Sequence, residues 1–129
     1  DFDTGIDIVG HRIVRDPDGL AQSSRNRNLT DEQRAAAVVV PRSLDAAVAV
    51  ASRPGATASD CVAAATDVVA AETLATHEYT TAFDADDLTE LGDGDDLSNR
   101  SPGSVRIATA VWFGDVRLID NRALLEHLR

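Results

Sequence analysis

Gln22-Ser23-Ser24-Arg25-Asn26 sets two adjacent hydroxyls beside a guanidinium. Hydroxyls and the main-chain N–H groups of a tight loop donate to anionic oxygens. Arginine adds a planar fork that stays charged at every working pH. Gly19, just upstream, permits close backbone approach. The chemistry this set can do is to steady negative charge on a phosphate, as none of its members is a nucleophile or a general base. By composition alone, a Ser-Ser-Arg-Asn run before a helix is more often a solvated connection. The functional reading therefore needs support from the rest of the chain.

The other reactive residue types make weaker patterns. Asp84, Asp86, Asp87, Asp93, Asp95 and Asp96 lack the register and terminal Glu of an EF-hand, and they read as a solvated acidic loop. His77 and Glu78 are neighbours on an expected strand and point to opposite faces. Cys61 is alone, which excludes an internal disulfide and suits a reducing compartment. It falls on a helical apolar stripe, so core packing is its expected role. His11, His77 and His127 have no metal-ligand spacing. No Ser-His-Asp set, Walker loop or dinucleotide fingerprint occurs.

The elements that must position these residues follow from pattern. Residues 6–15 are β-branched and read as a leading strand, with Gly10 as a bend. Asp16-Pro17-Asp18-Gly19 is a turn, and Leu20 to Leu29 a polar loop. Thr30 and Gln33 have capping-box spacing, which opens an Ala-rich helix running to about Ser52. Pro41 predicts a kink or a break within it. A second helix starts at Thr57-Ala58-Ser59-Asp60 and ends near Ala75, with Cys61, Val62, Ala65, Val68 and Val69 on one stripe. Residues 77–83 and 104–113 read as strands. Gly114-Asp115 is a two-residue hairpin turn, 116–120 the returning strand, and 122–129 a short helix. The expected fold is α+β, with two Ala-rich helices on a three-stranded antiparallel sheet, preceded by a leading strand and loop.

Composition narrows the function. The chain has 129 residues, which favours one domain. Its 22 acidic residues against 12 basic ones leave a net charge of −10, which argues against nucleic-acid binding. All 12 basic residues are Arg, so no lysine is available for a Schiff base or a phosphate contact. No apolar run is long enough to span a bilayer and no signal segment is visible, so a cytoplasmic protein is expected. The chain begins at Asp1 and has no Met, as expected of a fragment, a processed product or an excised domain.

The order of residues adds a resemblance. Val14-Arg15-Asp16-Pro17-Asp18-Gly19-Leu20-Ala21-Gln22-Ser23-Ser24-Arg25-Asn26 resembles the signature of the pantoate–β-alanine ligases. The likeness continues through Leu29 and Gln33-Arg34-Ala35, and it returns at Val116-Arg117-Leu118-Ile119-Asp120-Asn121. The chain departs from the family pattern at Arg12-Ile13, at Asp16 where Glu is common, and at Arg122. The Ala-rich helices and Arg-only usage resemble actinobacterial members.

The resemblance implies the C-terminal domain of such an enzyme. Residues 1–15 would be the terminal strand and hinge of a preceding Rossmann-like domain, and 16–129 a lid. That N-terminal domain, with its His-x-Gly-His motif and the pantoate and β-alanine pockets, would be the partner. ATP would be a substrate, with Mg2+ in the full-length enzyme. Ser23, Ser24 and Arg25 would contact the ATP phosphates, and Val14 and Gln22 the adenine, largely through main-chain groups. The chain alone would be inactive. A second reading is a non-catalytic interaction or oligomerisation module that uses an exposed strand edge.

Overall fold

The computed structural model describes residues 14–85, 88–91 and 104–124. The expected leading strand lies outside these residues except for Val14 and Arg15. So do most of the acidic loop and the last five residues of the expected terminal helix.

The turn at 16–19 forms as its sequence requires. The Gly19 N–H donates to the Asp16 carbonyl at 2.8 Å, and Gly19 has φ +93°, a conformation that favours glycine. The polar stretch after it is not all loop, because Ser24–Asn28 forms a 3-10 turn. Helix α1 (Asp31–Ala36) starts with the capping box of Thr30 and Gln33.

The Ala-rich helix then breaks instead of bending. Helix α2 (Val39–Ala51) begins afresh, with Pro41 as its third residue. Proline there has no N–H to offer the Ala37 carbonyl, and its ring would crowd that carbonyl. The Val40 N–H takes that acceptor instead, at 3.0 Å. Pro41 thus sits in a first turn, where a missing N–H costs nothing. Helix α3 (Ala58–Ala70) carries a second capping box, Thr57 with Asp60. It ends before Ala75, and the Glu72 carboxylate accepts the Leu74 N–H at 3.0 Å in the turn that follows.

The sheet is antiparallel with order β2-β1-β3-β4, from β1 (Thr76–Asp84), β2 (Glu90–Leu91), β3 (Val105–Phe113) and β4 (Val116–Ala123). The two-residue β2 adds a fourth strand to the expected three. Strand β4 pairs with β3 as far as Arg106↔Ala123, so Arg122 and Ala123 are strand residues and not the start of a helix. Gly114 opens the β3–β4 turn with φ +63°.

Helices α2 and α3 cover one face of the sheet. One core cluster holds Leu44, Ala47, Cys61, Ala65, Ala82 and Ile107. A second gathers Leu20, Val40, Val69, Val111, Phe113 and Leu118. Leu20 belongs to the 16–22 loop and is 2% exposed, so the loop is rooted in the core. As alternation requires, Phe113 is fully buried while Trp112 faces outward with Arg117.

Burial pushes the Cys61 thiol up to about 11. It therefore stays protonated at neutral pH and is a poor nucleophile. Alkylation of native protein at pH 8 should be slow, becoming fast in denaturant; loss of thiol titre with a chromogenic disulfide reagent measures both.

Candidate functional site

The hydroxyl-and-guanidinium loop is held at three points. Arg15 forms an isolated antiparallel bridge with Ala21, and the Gln22 N–H donates to the Val14 carbonyl at 2.8 Å. The Arg15 guanidinium then reaches β4. It donates to both Asp120 carboxylate oxygens, at 2.6 and 2.9 Å, and to the Gly19 carbonyl at 2.9 Å. Asp120 shares the inner sheet face with Leu118, two residues before it, and its side chain is 1% exposed. Burial pushes the Asp120 carboxyl up, while Arg15 and the Asn121 N–H pull against that push.

The second point is Arg34 on α1, which binds Asp16 at 2.8 Å and Asp18 at 2.9 Å. The Arg34 hydrogen bond holds the Asp18 carboxyl below its usual range, and Asp18 in turn raises Arg34. The Gln22 amide closes the same cluster by donating to Asp16 at 2.9 Å. The third point is Asn26, whose amide donates to the Ala21 carbonyl at 3.0 Å, while its Oδ1 is buried without a partner.

These ties leave a specific remainder. Arg15 and Arg34 are engaged, whereas no ion pair engages Arg25 or Arg27 among the described residues. Arg25 makes one long hydrogen bond, to the Arg117 carbonyl at 3.5 Å. Ser23 accepts the Arg25 N–H at 3.2 Å, which leaves its own O–H free to donate. Gln22, Ser23, Ser24 and Arg25 are all exposed, and so is Val14. The structure therefore brings the five expected site residues onto one exposed segment. The Gln22 N–H is occupied by the Val14 carbonyl, whose oxygen keeps a second lone pair.

Beside Arg25 lies a cleft of ≈360 Å³, lined by Arg25, Asn28, Trp112, Asp115, Val116 and Arg117. Sequence reading gave Arg34, Asp120 and Arg117 no role of their own. Asp120 stands 105 positions from Arg15, and no local pattern links them. Among the described residues, no three His, Cys, Asp or Glu side chains gather to hold a metal ion. Asp16 and Asp18 already face Arg34. These residues do not fit a Mg2+ site.

Residues 1–123 match the family model described as Pantoate-beta-alanine ligase. The chain is 38% identical to "Pantothenate synthetase" of Caulobacter vibrioides over 124 residues, 96% of this chain and 42% of the relative. It is 40% identical to "Bifunctional pantoate ligase/cytidylate kinase" of Synechococcus elongatus, over 96% of this chain and 22% of that protein. The crystal structure of pantothenate synthetase from Thermus thermophilus superposes with TM-score 0.74 at 32% identity, covering 87% of this chain and 38% of that one. The chain thus spans about 40% of the length of the first pantothenate synthetases it matches. The named relatives come from several bacterial genera and lend no support to an actinobacterial origin. No helix among the described residues is long and apolar enough to cross a membrane.

Asp120→Ala leaves the Arg15 charge half-buried and unpaired. It should cost about 3 kcal/mol, the low end for breaking a buried pair, because Arg15 keeps some solvent contact. Urea denaturation checks the value. The Asp18–Arg34 contribution has the opposite exposure and a pH signature. Its folded-state value is depressed, so its stabilisation is present above 3.8 and lost as pH falls through the lower folded value. The melting-temperature gap between wild type and Arg34→Gln should therefore close on acidification below 3.8.

Proposed function

The chain belongs to the pantoate–β-alanine ligase family, and from that premise we propose that it is the part of such a ligase that closes over ATP. The whole enzyme would join two substrates in two steps. The pantoate carboxylate attacks the α-phosphorus of ATP, giving pantoyl-adenylate and diphosphate. The β-alanine amine then attacks the acyl carbon, giving pantothenate and AMP.

Ser23, Ser24 and Arg25 would bind the ATP phosphates, and Val14 and Gln22 would lie against the adenine. In-line attack spreads charge over the phosphate oxygens, and preorganised donors stabilise it without reacting. Closure keeps water from the acyl-adenylate. Mg2+ would arrive with the nucleotide, as this segment offers it no ligand set. Residues 1–15 would lead in from a larger N-terminal domain, and 16–129 would be the C-terminal lid. This chain lacks a His-x-Gly-His, so pantoate, β-alanine and the reacting centre would belong to that larger domain. Alone, the chain would make no pantothenate. The work would be cytoplasmic, with neither nucleic acid nor membrane as a partner.

The observation that carries this reading is the unpaired Arg25. On a loop whose Asp16 and Asp18 are tied down by Arg34, the Arg25 guanidinium and two hydroxyls stand exposed side by side, with the unpaired Arg27 two residues further on. The interaction-module reading rests on a strand outside the described residues, and no observation favours it.

In the intact ligase, Arg25→Ala should slow pantoate-dependent ATP–diphosphate exchange by about 10²–10³-fold, the usual effect of losing one charge-stabilising donor. Capture of preformed pantoyl-adenylate by β-alanine should be unaffected. An exchange rate equal to wild type would remove Arg25 from the phosphate site.

A further inference from the structure

The cleft beside Arg25 has a second guanidinium in its wall, and the sheet is built to orient it. On β1, His77 pairs with Val111 and Tyr79 with Ala110, so Glu78 is the extra residue of a bulge. Bulges re-aim side chains. This one carries Glu78 to Trp112 and Arg117, which face each other across β3 and β4. One carboxylate then accepts three donors: Trp112 Nε1 at 2.8 Å, and Arg117 Nε and Nη2 at 2.7 and 2.9 Å. Arg117 holds the Glu78 carboxyl below its usual range.

The clamp takes only one edge of the Arg117 guanidinium. Its Nη1 has no hydrogen-bond partner among the described residues. Arg25 meanwhile leans on the same strand, with Nη1 at 3.5 Å from the Arg117 carbonyl. The two guanidiniums and the Asn28 amide thus line a single opening of ≈360 Å³. An exposed ion pair contributes little to stability, so the chief effect of the three-donor clamp is to fix where Arg117 stands.

We propose that this cleft is a diphosphate subsite, in which Arg117 and Arg25 together hold the terminal phosphates of ATP and then the departing diphosphate. Glu78 is the positioning residue for Arg117. The proposal rests on the phosphate reading of Ser23–Arg25 and extends it. When the pantoate oxygen bonds to the α-phosphorus, the bond from that phosphorus to the bridging oxygen breaks. The diphosphate leaves with that electron pair. Paired guanidiniums match its oxygens in geometry and charge. Asp115 in the same wall opposes an anion, so binding depends on both cations acting together.

The test is inhibition of the intact ligase by inorganic diphosphate. Arg117→Gln should raise the diphosphate inhibition constant by about tenfold or more. The AMP inhibition constant, the KM for β-alanine and the melting temperature should stay at wild-type values. Arg117→Lys keeps the charge but lacks a second edge, so it should restore binding only in part. A diphosphate constant for Arg117→Gln at the wild-type value overturns the proposal. If Arg25→Ala alone raises that constant, the cleft falls and the phosphate loop stands. If neither variant changes it, both fall.

Discussion

One guanidinium holds the molecule's exposed loop to its core. Arg15 reaches from the bridge at the loop's root to a carboxylate buried on the inner face of the sheet. Asp120 shares that face with Leu118, a member of the same core cluster as Leu20. An ionised pair in such a place is worth keeping only if its geometry is right, because desolvation opposes it. Here the fork is met by both carboxylate oxygens, and the Gly19 carbonyl takes a further hydrogen bond. Leu20 is buried next to that contact, so apolar and ionic restraints act on the same few residues. A loop fixed in this way can present side chains to an anion without reorganising as it binds.

The charges around the loop follow from this arrangement. The chain is strongly acidic overall, yet its exposed loop offers cations. The local acids are neutralised in place: Asp16 and Asp18 by Arg34, Asp120 by Arg15 and Glu78 by Arg117. Among the described residues, the loop itself keeps Arg25 and Arg27 outside any ion pair, with Asp115 across the cleft as the nearby acid that no ion pair covers. Net charge therefore describes the whole surface poorly as a guide to this one patch, because the field near a ligand is set by nearby groups.

The relatives show the same unit in proteins of different size. It covers 42% of a pantothenate synthetase and 22% of a bifunctional ligase–kinase. Its backbone superposes on the corresponding part of the Thermus thermophilus enzyme with TM-score 0.74. The two capping boxes, the paired core clusters and the Arg15 contact all lie within the described residues.

Much of the fold was legible because its causes are local. Thr30 with Gln33 and Thr57 with Asp60 mark helix starts by spacing alone, and Gly114-Asp115 marks the hairpin. Pro41 announced a discontinuity, but its position did not say which carbonyl would be given up. That depended on Val40 taking over the Ala37 acceptor. The loop residues Gln22 to Arg25 were legible as anion donors from their types. Which arginines stay free to act was not, since pairing is decided by partners far along the chain. Asp120 meets Arg15 only after β4 has folded back along β3, and Glu78 meets Arg117 only through a bulge that no residue type announces. Residue type and short spacing set caps, turns and the chemistry a loop can offer. Tertiary structure alone chose the occupied charges, because long-range ion pairs are made by packing and register.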